Sequence, residues 1–553
     1  MGAATVEREM RLAGSVLALV GALVFVPGAS PDQASSQLRR LPAGLLDAGG
    51  SQTCAVVGAG QVRCWGSGAN GELGYGNTNN IGDNEAVGSV GPVDLGAGRK
   101  AVAVSAGNLH TCALLDNGSV LCWGYHGAGQ LGYGNANDVG DNETPASAGP
   151  VFLGTGRRAV AISAGGDHTC AILDNGRVLC WGANPDGQLG YGNTSPVGDD
   201  EKPGSVAPVD LGPGRKAIAI SAGPEHTCAI LDNGRVRCWG LNDTGQLGLG
   251  NTDTIGDNET PGSVPPVDLG PARKAVAITT GDNHTCAILD NGRVRCWGLD
   301  SSGQLGTGNT DTIGDNETPG SVPPVDLGAG RRTLAISAGS DHTCALLDNG
   351  DVRCWGAGLN GQLGYGNTNT IGDDETPGGF GPVDLATRKA VAITAGGDHT
   401  CAALDNGRIR CWGNGSFGEL GYGNTKTIGD NEVPGSIAPV AAGGLVATKA
   451  RPTLSFTMKP KRDRRWPYSL RASGKLGGFL ADPATCSGLI QVRATTRGAA
   501  RVAWKKLKLG SSSCTYAVVL RIPGRGAWRV TAAFAGNGSL KGRTAPARKF
   551  RAG

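Results

Sequence analysis

Between residues 42 and 445, short apolar runs alternate with polar stretches rich in Gly, Asn, Asp and Pro, and none shows helical spacing. The clearest stretch is DHTCAILDNGRVLCWG, residues 167–182. His168, Cys170 and Ile172 alternate with Thr169, Ala171 and Leu173, then Asp174-Asn175-Gly176 intervenes, and Val178, Cys180 and Gly182 follow. Two short strands around a glycine-containing turn predict a β-hairpin. With a three-residue turn and Gly176 in the left-handed region, Leu173 pairs with Arg177 and Cys170 falls opposite Cys180. A two-residue Asn-Gly turn would shift the register and place the two cysteines on opposite faces. A Cys170–Cys180 bond and the three-residue turn therefore imply each other, and cross-strand Cβ separations of about 4.5–5.5 Å make the bond feasible. AVAIS (159–163) upstream and APVDLG (207–212) downstream add two further strands, so four strands are expected per unit.

The unit returns seven times. Its first cysteine is Cys54, Cys112, Cys170, Cys228, Cys286, Cys344 or Cys401, at spacings of 58 residues and finally 57. A partner follows ten residues later, at Cys64, Cys122, Cys180, Cys238, Cys296, Cys354 and Cys411. A repeat of this size decides the architecture before any local reading. GGDHTCAILDNGRVLCWGANPDGQLGYGN resembles the repeat of the regulator of chromosome condensation (RCC1-like) family, with D-N-G, C-W-G and G-Q-L-G recurring in register over 42–445. The resemblance implies a seven-bladed β-propeller that uses its faces to bind other proteins. Members range from a eukaryotic guanine-nucleotide exchange factor to secreted bacterial inhibitors of β-lactamase.

Two segments flank the repeats. Arg11 precedes the apolar run LAGSVLALVGALVFV (12–26) and the small residues Gly28, Ala29 and Ser30, the pattern of a cleaved export signal over 1–30. Met10 is a candidate alternative start. A linker at 31–41 leads into PAGLLDAG (42–49), which holds the place of AVAISAG in later copies. The last copy ends without such a strand, so this first strand is expected to complete a blade built mostly from the other end of the chain. After a second linker (446–452), residues 453–553 are read as a basic Ig-like β-sandwich of seven short strands with Cys486 and Cys514. The formal net charge of +3 hides a division. Residues 451–553 carry 22 Lys and Arg against Asp463 and Asp482, whereas 41–450 carry 24 basic against 42 acidic residues.

All sixteen cysteines fall into pairs behind an export signal, as disulfides do in oxidising compartments. The competing reading is zinc, because His168 and Cys170 share a strand face with Cys180 opposite. Against it, the first copy has Gln52 where the others have His110, His168, His226, His284, His342 and His399. A His-Thr pair in six copies also argues for scaffold over catalysis, which needs one tuned site with a nucleophile in reach. No enzyme activity, cofactor or metal is expected. The acidic IGDNE-type loops read as surface loops with Asp and Asn bonding their own backbone, with Ca²⁺ binding as the alternative. Trp65, Trp123, Trp181, Trp239, Trp297, Trp355 and Trp412, one per copy, are expected in the core.

Differences between copies concentrate just after C-W-G, from SGANG (67–71) to NGSFG (414–418). These loops should share one face, with Tyr125, His126, Leu299, Leu359 and Phe417 as the anchors of a protein-binding surface. The expected role is non-catalytic protein recognition outside the cell or at its surface, by a monomer. The basic C-terminal region either attaches to anionic envelope polymer or docks on the acidic propeller. The alternatives are an exchange factor for a small GTPase, or an inhibitor of a secreted hydrolase such as a β-lactamase.

Overall fold

The computed structural model describes residues 44–445 and places strands in parts of 453–552. The export segment, both linkers, Cys486 and Cys514 lie outside the described residues. Seven three-stranded antiparallel sheets follow one another from Leu46 to Gly413. In the third, the inner strand is Ala159–Ala164, the middle strand His168–Leu173 and the outer strand Val178–Gly182. Leu173 N–H donates to the Arg177 carbonyl at 2.8 Å, and Gly176 has φ of 81°, so the turn has three residues. Cys170 lies opposite Cys180 and is bonded to it, as are the six equivalent pairs, each within its own hairpin.

The expected fourth strand does not form. Of APVDLG, only Val209 reaches the sheet, donating to the Val178 carbonyl at 2.9 Å. Pro208 has no N–H to extend the ladder, and the Asp210 carboxylate turns the chain by accepting from Gly212 N–H at 2.8 Å.

Sheets pack on one another through the tryptophans, all seven of which are fully buried. Trp297 Nε1 donates to the Gln246 carbonyl of the preceding blade at 3.0 Å, and Thr285 Oγ1 donates to the same oxygen at 2.9 Å. A Cβ on Gly248 would lie 2.7 Å from Trp297 Nε1, which is why the G-Q-L-G turn keeps its second glycine.

Ring closure can be followed atom by atom. Each inner strand offers one side-chain oxygen to a backbone N–H of the next blade: Ser105 to Ala164, Ser163 to Ala222, Ser221 to Thr280, Thr279 to Ala338 and Ser337 to Ala395. Thr394 then accepts from Ala48 at 3.1 Å, and Asp47 from Ala106 at 3.0 Å, completing a circle of seven. A second series joins middle strands. His226 Nε2 lies 2.9 Å from Thr285 Oγ1, and because that hydroxyl proton goes to the Gln246 carbonyl, the imidazole must be the donor. The equivalent contact at the closing interface is His399 to Thr53, 2.8 Å.

The seam differs from expectation. Leu46 pairs with Ala55 and Ala48 with Thr53, so the first strand belongs to the first blade's own hairpin. The other end of the chain instead completes this blade: Leu445 bridges Val57, and Gly58 N–H donates to the Gly444 carbonyl at 3.0 Å. The two ends therefore meet along one inner strand.

Beyond the ring, strands of the C-terminal region form two sheets. Tyr468–Gly477 pairs with Thr515–Ile522 in one, and Leu489–Thr496 lies between Val502–Lys508 and Gly526–Phe534 in the other. Among the described residues, no helix is long and apolar enough to cross a membrane.

Candidate functional site

Inner strands run towards one face of the ring, middle strands return, and outer strands run towards it again. The turn before each middle strand and the loop after each C-W-G therefore share a face. Backbone bonds join them: Tyr125 N–H donates to the Leu109 carbonyl at 2.9 Å, Ala183 to Asp167 at 2.8 Å, and Asn414 to Asp398 at 2.9 Å. Varied loops thus stand on a rigid, repeated frame.

Within each loop the second residue is buried and structural. Asn184 Oδ1 accepts from Leu189 N–H at 2.9 Å, Asn242 from Leu247 at 2.9 Å and Asp300 from Leu305 at 2.8 Å. His126 occupies this position in the second blade, where Nδ1 accepts from Leu131 N–H at 3.1 Å. It is fully buried, not the exposed anchor the sequence suggested, and burial pushes its pKa down to about 4. Blades with glycine here close the loop differently. A Cβ on Gly358 would sit 2.0 Å from the Asn369 carbonyl, so the approaching backbone takes the side chain's place.

The remaining anchors divide. Tyr125, Leu359 and Phe417 are exposed at 37%, 75% and 44%, whereas Leu299 is half-buried. They stand on the second, sixth and seventh blades, either side of the small Ser-Gly-Ala-Asn-Gly loop of the first.

Carboxylates dominate the rest of the face. Asp167, Glu225, Asp282, Asp341 and Asp398 precede the middle strands, and Asp186 and Asp243 lie in the loops. The pKa of Glu225 is raised by partial burial and then by the negative charges of Asp186, Asp243, Asp282 and Asp167. Asp282 is raised by burial and then by Asp341 and Asp398. Glu419, buried in the G-E-L-G turn, is pushed up to about 7 by desolvation. None of the fourteen segments forming this face contains a Lys or Arg. That asymmetry was readable in the sequence once the two segment types were known to be neighbours.

Other candidate chemistry is used structurally. The seven ring disulfides leave no thiolate for zinc. Burial pushes the histidines facing threonine down to about 3 or 4, so they are neutral hydrogen-bond donors. In the outer loops, carboxylate oxygens of Asp199, Asp200 and Glu201, and of Asp373, Asp374 and Glu375, come within 4.8 Å of one another. Both groups are partly exposed.

Comparison with known proteins agrees with this geometry. Residues 195–450 match the RCC1-like domain, and 59–114 and 117–172 match the regulator of chromosome condensation repeat. The ultraviolet-B receptor UVR8 of Arabidopsis thaliana is 30% identical over 387 residues, covering 69% of this chain and 79% of the receptor. The human E3 ubiquitin-protein ligase HERC2 is 30% identical over 377 residues, 68% of this chain but 7% of the ligase. Among solved structures, yeast RCC1 (Prp20) bound to Kap60 superimposes with a TM-score of 0.54 at 19% identity, covering 78% of this chain and 92% of that one. Seven sheets in a closed ring, one 57- or 58-residue repeat to each, place this chain in the RCC1 (regulator of chromosome condensation) repeat family.

Proposed function

We propose that the protein is an exported, non-catalytic recognition ring that binds a protein partner through its loop face. The basic C-terminal region, read as an Ig-like module, holds it on anionic envelope polymer. The observation that carries this reading is the loop face: exposed Tyr125, Leu359 and Phe417 on a disulfide-clasped frame, beside carboxylates with no basic residue among them. Aromatic and large apolar side chains on a rigid support are what protein interfaces favour.

Seven disulfides suit an oxidising compartment and support export. They also count against a cytosolic GTPase as partner. Each imidazole of the repeated series is buried against a threonine, which supports a non-catalytic role.

Fractionation of the producing cell tests the reading. The protein should be found in the culture fluid or released from the envelope by salt, with its N-terminus near residue 31. A reduced chain retained inside the cell with residues 1–30 intact would overturn it. Alanine at Tyr125 and Phe417 together should weaken capture of the partner without lowering the melting temperature.

A further inference from the structure

The face opposite the loops has the reverse charge. It is built from the turns between middle and outer strands and the segments entering the inner strands, joined by Asp174 N–H to the Arg158 carbonyl at 2.8 Å and its equivalents. Six of the seven entering segments end in two basic residues: Arg99-Lys100, Arg157-Arg158, Arg215-Lys216, Arg273-Lys274, Arg331-Arg332 and Arg388-Lys389. Arg177, Arg235, Arg293 and Arg408 add four from the turns, and all sixteen are exposed.

Carboxylates answer only part of this charge. Six arginines pair with the aspartate of the adjacent turn, as Arg215 does with Asp232 at 3.1 Å, and Lys389 pairs with Asp351. The other nine, among them Lys216 and Lys274, have no carboxylate partner among the described residues. Asp94, Asp210, Asp268, Asp326 and Asp384 on the flank are held in local turns and leave the face net positive.

The point where the chain leaves the ring adds a second constraint. Leu445 N–H donates to the Gly407 carbonyl, and Gly444 accepts from Gly58; both partners lie in turns of this basic face. Seven residues, 446–452, separate Leu445 from the first strand of the C-terminal region, a reach of at most about 29 Å, so that region stays close to its point of attachment. The C-terminal region, with its 22 basic residues, is therefore tethered to the ring at turns of the basic face.

We propose that this face and the C-terminal region form one binding pole for an extended polyanion, so that the ring lies with its basic face on the polymer and its acidic loop face turned outward. Sixteen exposed cations spread around a ring fit a long flexible chain of anionic groups better than a small ion. This rests on the envelope-attachment reading and specifies how the ring is oriented.

The test uses the full mature chain and long-chain inorganic polyphosphate, with the dissociation constant measured across a salt series. Lys216→Gln with Lys274→Gln removes two unpaired cations from the face. Lys202→Gln with Lys426→Gln makes the same charge change on exposed outer loops. The face pair should weaken binding about tenfold at low salt and flatten the salt dependence, while the loop pair changes it less than twofold. All four positions are exposed, so unchanged melting temperatures confirm intact folds. Binding that the face pair leaves unaltered would overturn the proposed pole and leave attachment by the C-terminal region standing. A full chain that does not bind polyphosphate would overturn both.

Discussion

Replacing His226 by glutamine, the residue that the first blade carries naturally as Gln52, should change stability with opposite signs at neutral and acid pH. At neutral pH the imidazole donates to Thr285 Oγ1 at 2.9 Å, and losing a bond of this kind costs about 1 kcal/mol. Burial, with lesser contributions from His284 and His168, pushes the pKa of His226 from 6.5 down to about 3. The unfolded chain then binds a proton that the folded ring refuses, so stability is lost as pH falls below 6.5 and continues to fall until about 3. At more than 1 kcal/mol per pH unit, this histidine destabilises the ring by about 3 kcal/mol at pH 4.5, a penalty glutamine does not carry. The variant should be weaker by about 1 kcal/mol at pH 7.5, equal near pH 6 and stronger by about 2 kcal/mol at pH 4.5. Urea unfolding of both proteins, disulfides intact, reads this as a difference in midpoint that changes sign. Because both chains share every other titrating group, those contributions cancel. A difference that stays constant from pH 7.5 to 4.5 would refute a buried, neutral imidazole.

Other perturbations have equally definite outcomes. Removing one disulfide by Cys228→Ala with Cys238→Ala should cost about 2–3 kcal/mol in the same assay, the upper end being the chain-entropy value for so short a loop. Gly248→Ala and Gly98→Ala both place a side chain at positive φ, +71° and +74°, but only the first drives a Cβ to 2.7 Å from a tryptophan nitrogen. Gly98→Ala should therefore cost about 1 kcal/mol and Gly248→Ala at least about 2 kcal/mol more. Asp47 is raised to about 6 by burial, so its ionised form weakens the ring as pH rises through that value. Asp47→Ser, copying Ser105 and Ser163, should stabilise by about 1–3 kcal/mol at pH 8 and lose that advantage near pH 4.

Much of the ring was legible because its signals are local and repeated. Period-2 alternation around Asp174-Asn175-Gly176 fixes the hairpin, and the hairpin fixes the Cys170–Cys180 register. What was missed depends on neighbours far apart in sequence. Val209 alone joins the sheet because Pro208 has no N–H and Asp210 prefers its own turn, a competition that strand propensity does not register. His126 looked like a variable surface residue; comparison with Asn184, Asn242 and Asp300 shows one buried position filled by different acceptors. Charge counts separated the ring from its C-terminal region but averaged over both faces, hiding sixteen cations on one side and fourteen segments without Lys or Arg on the other. A seam between the chain ends was expected, but its partners were reversed, because Leu445 and Leu46 lie at opposite ends of the described ring and meet only on closure.

Peptide mapping under non-reducing conditions, on protein recovered from its natural compartment, bears most directly on the whole account. Each of the fourteen ring cysteines should be found linked to its partner ten residues away, Cys54 with Cys64 through Cys401 with Cys411, and none should react with alkylating agent. Bonds between different repeats, or thiols open to alkylation in the native protein, would contradict both the ring and its place in an oxidising compartment.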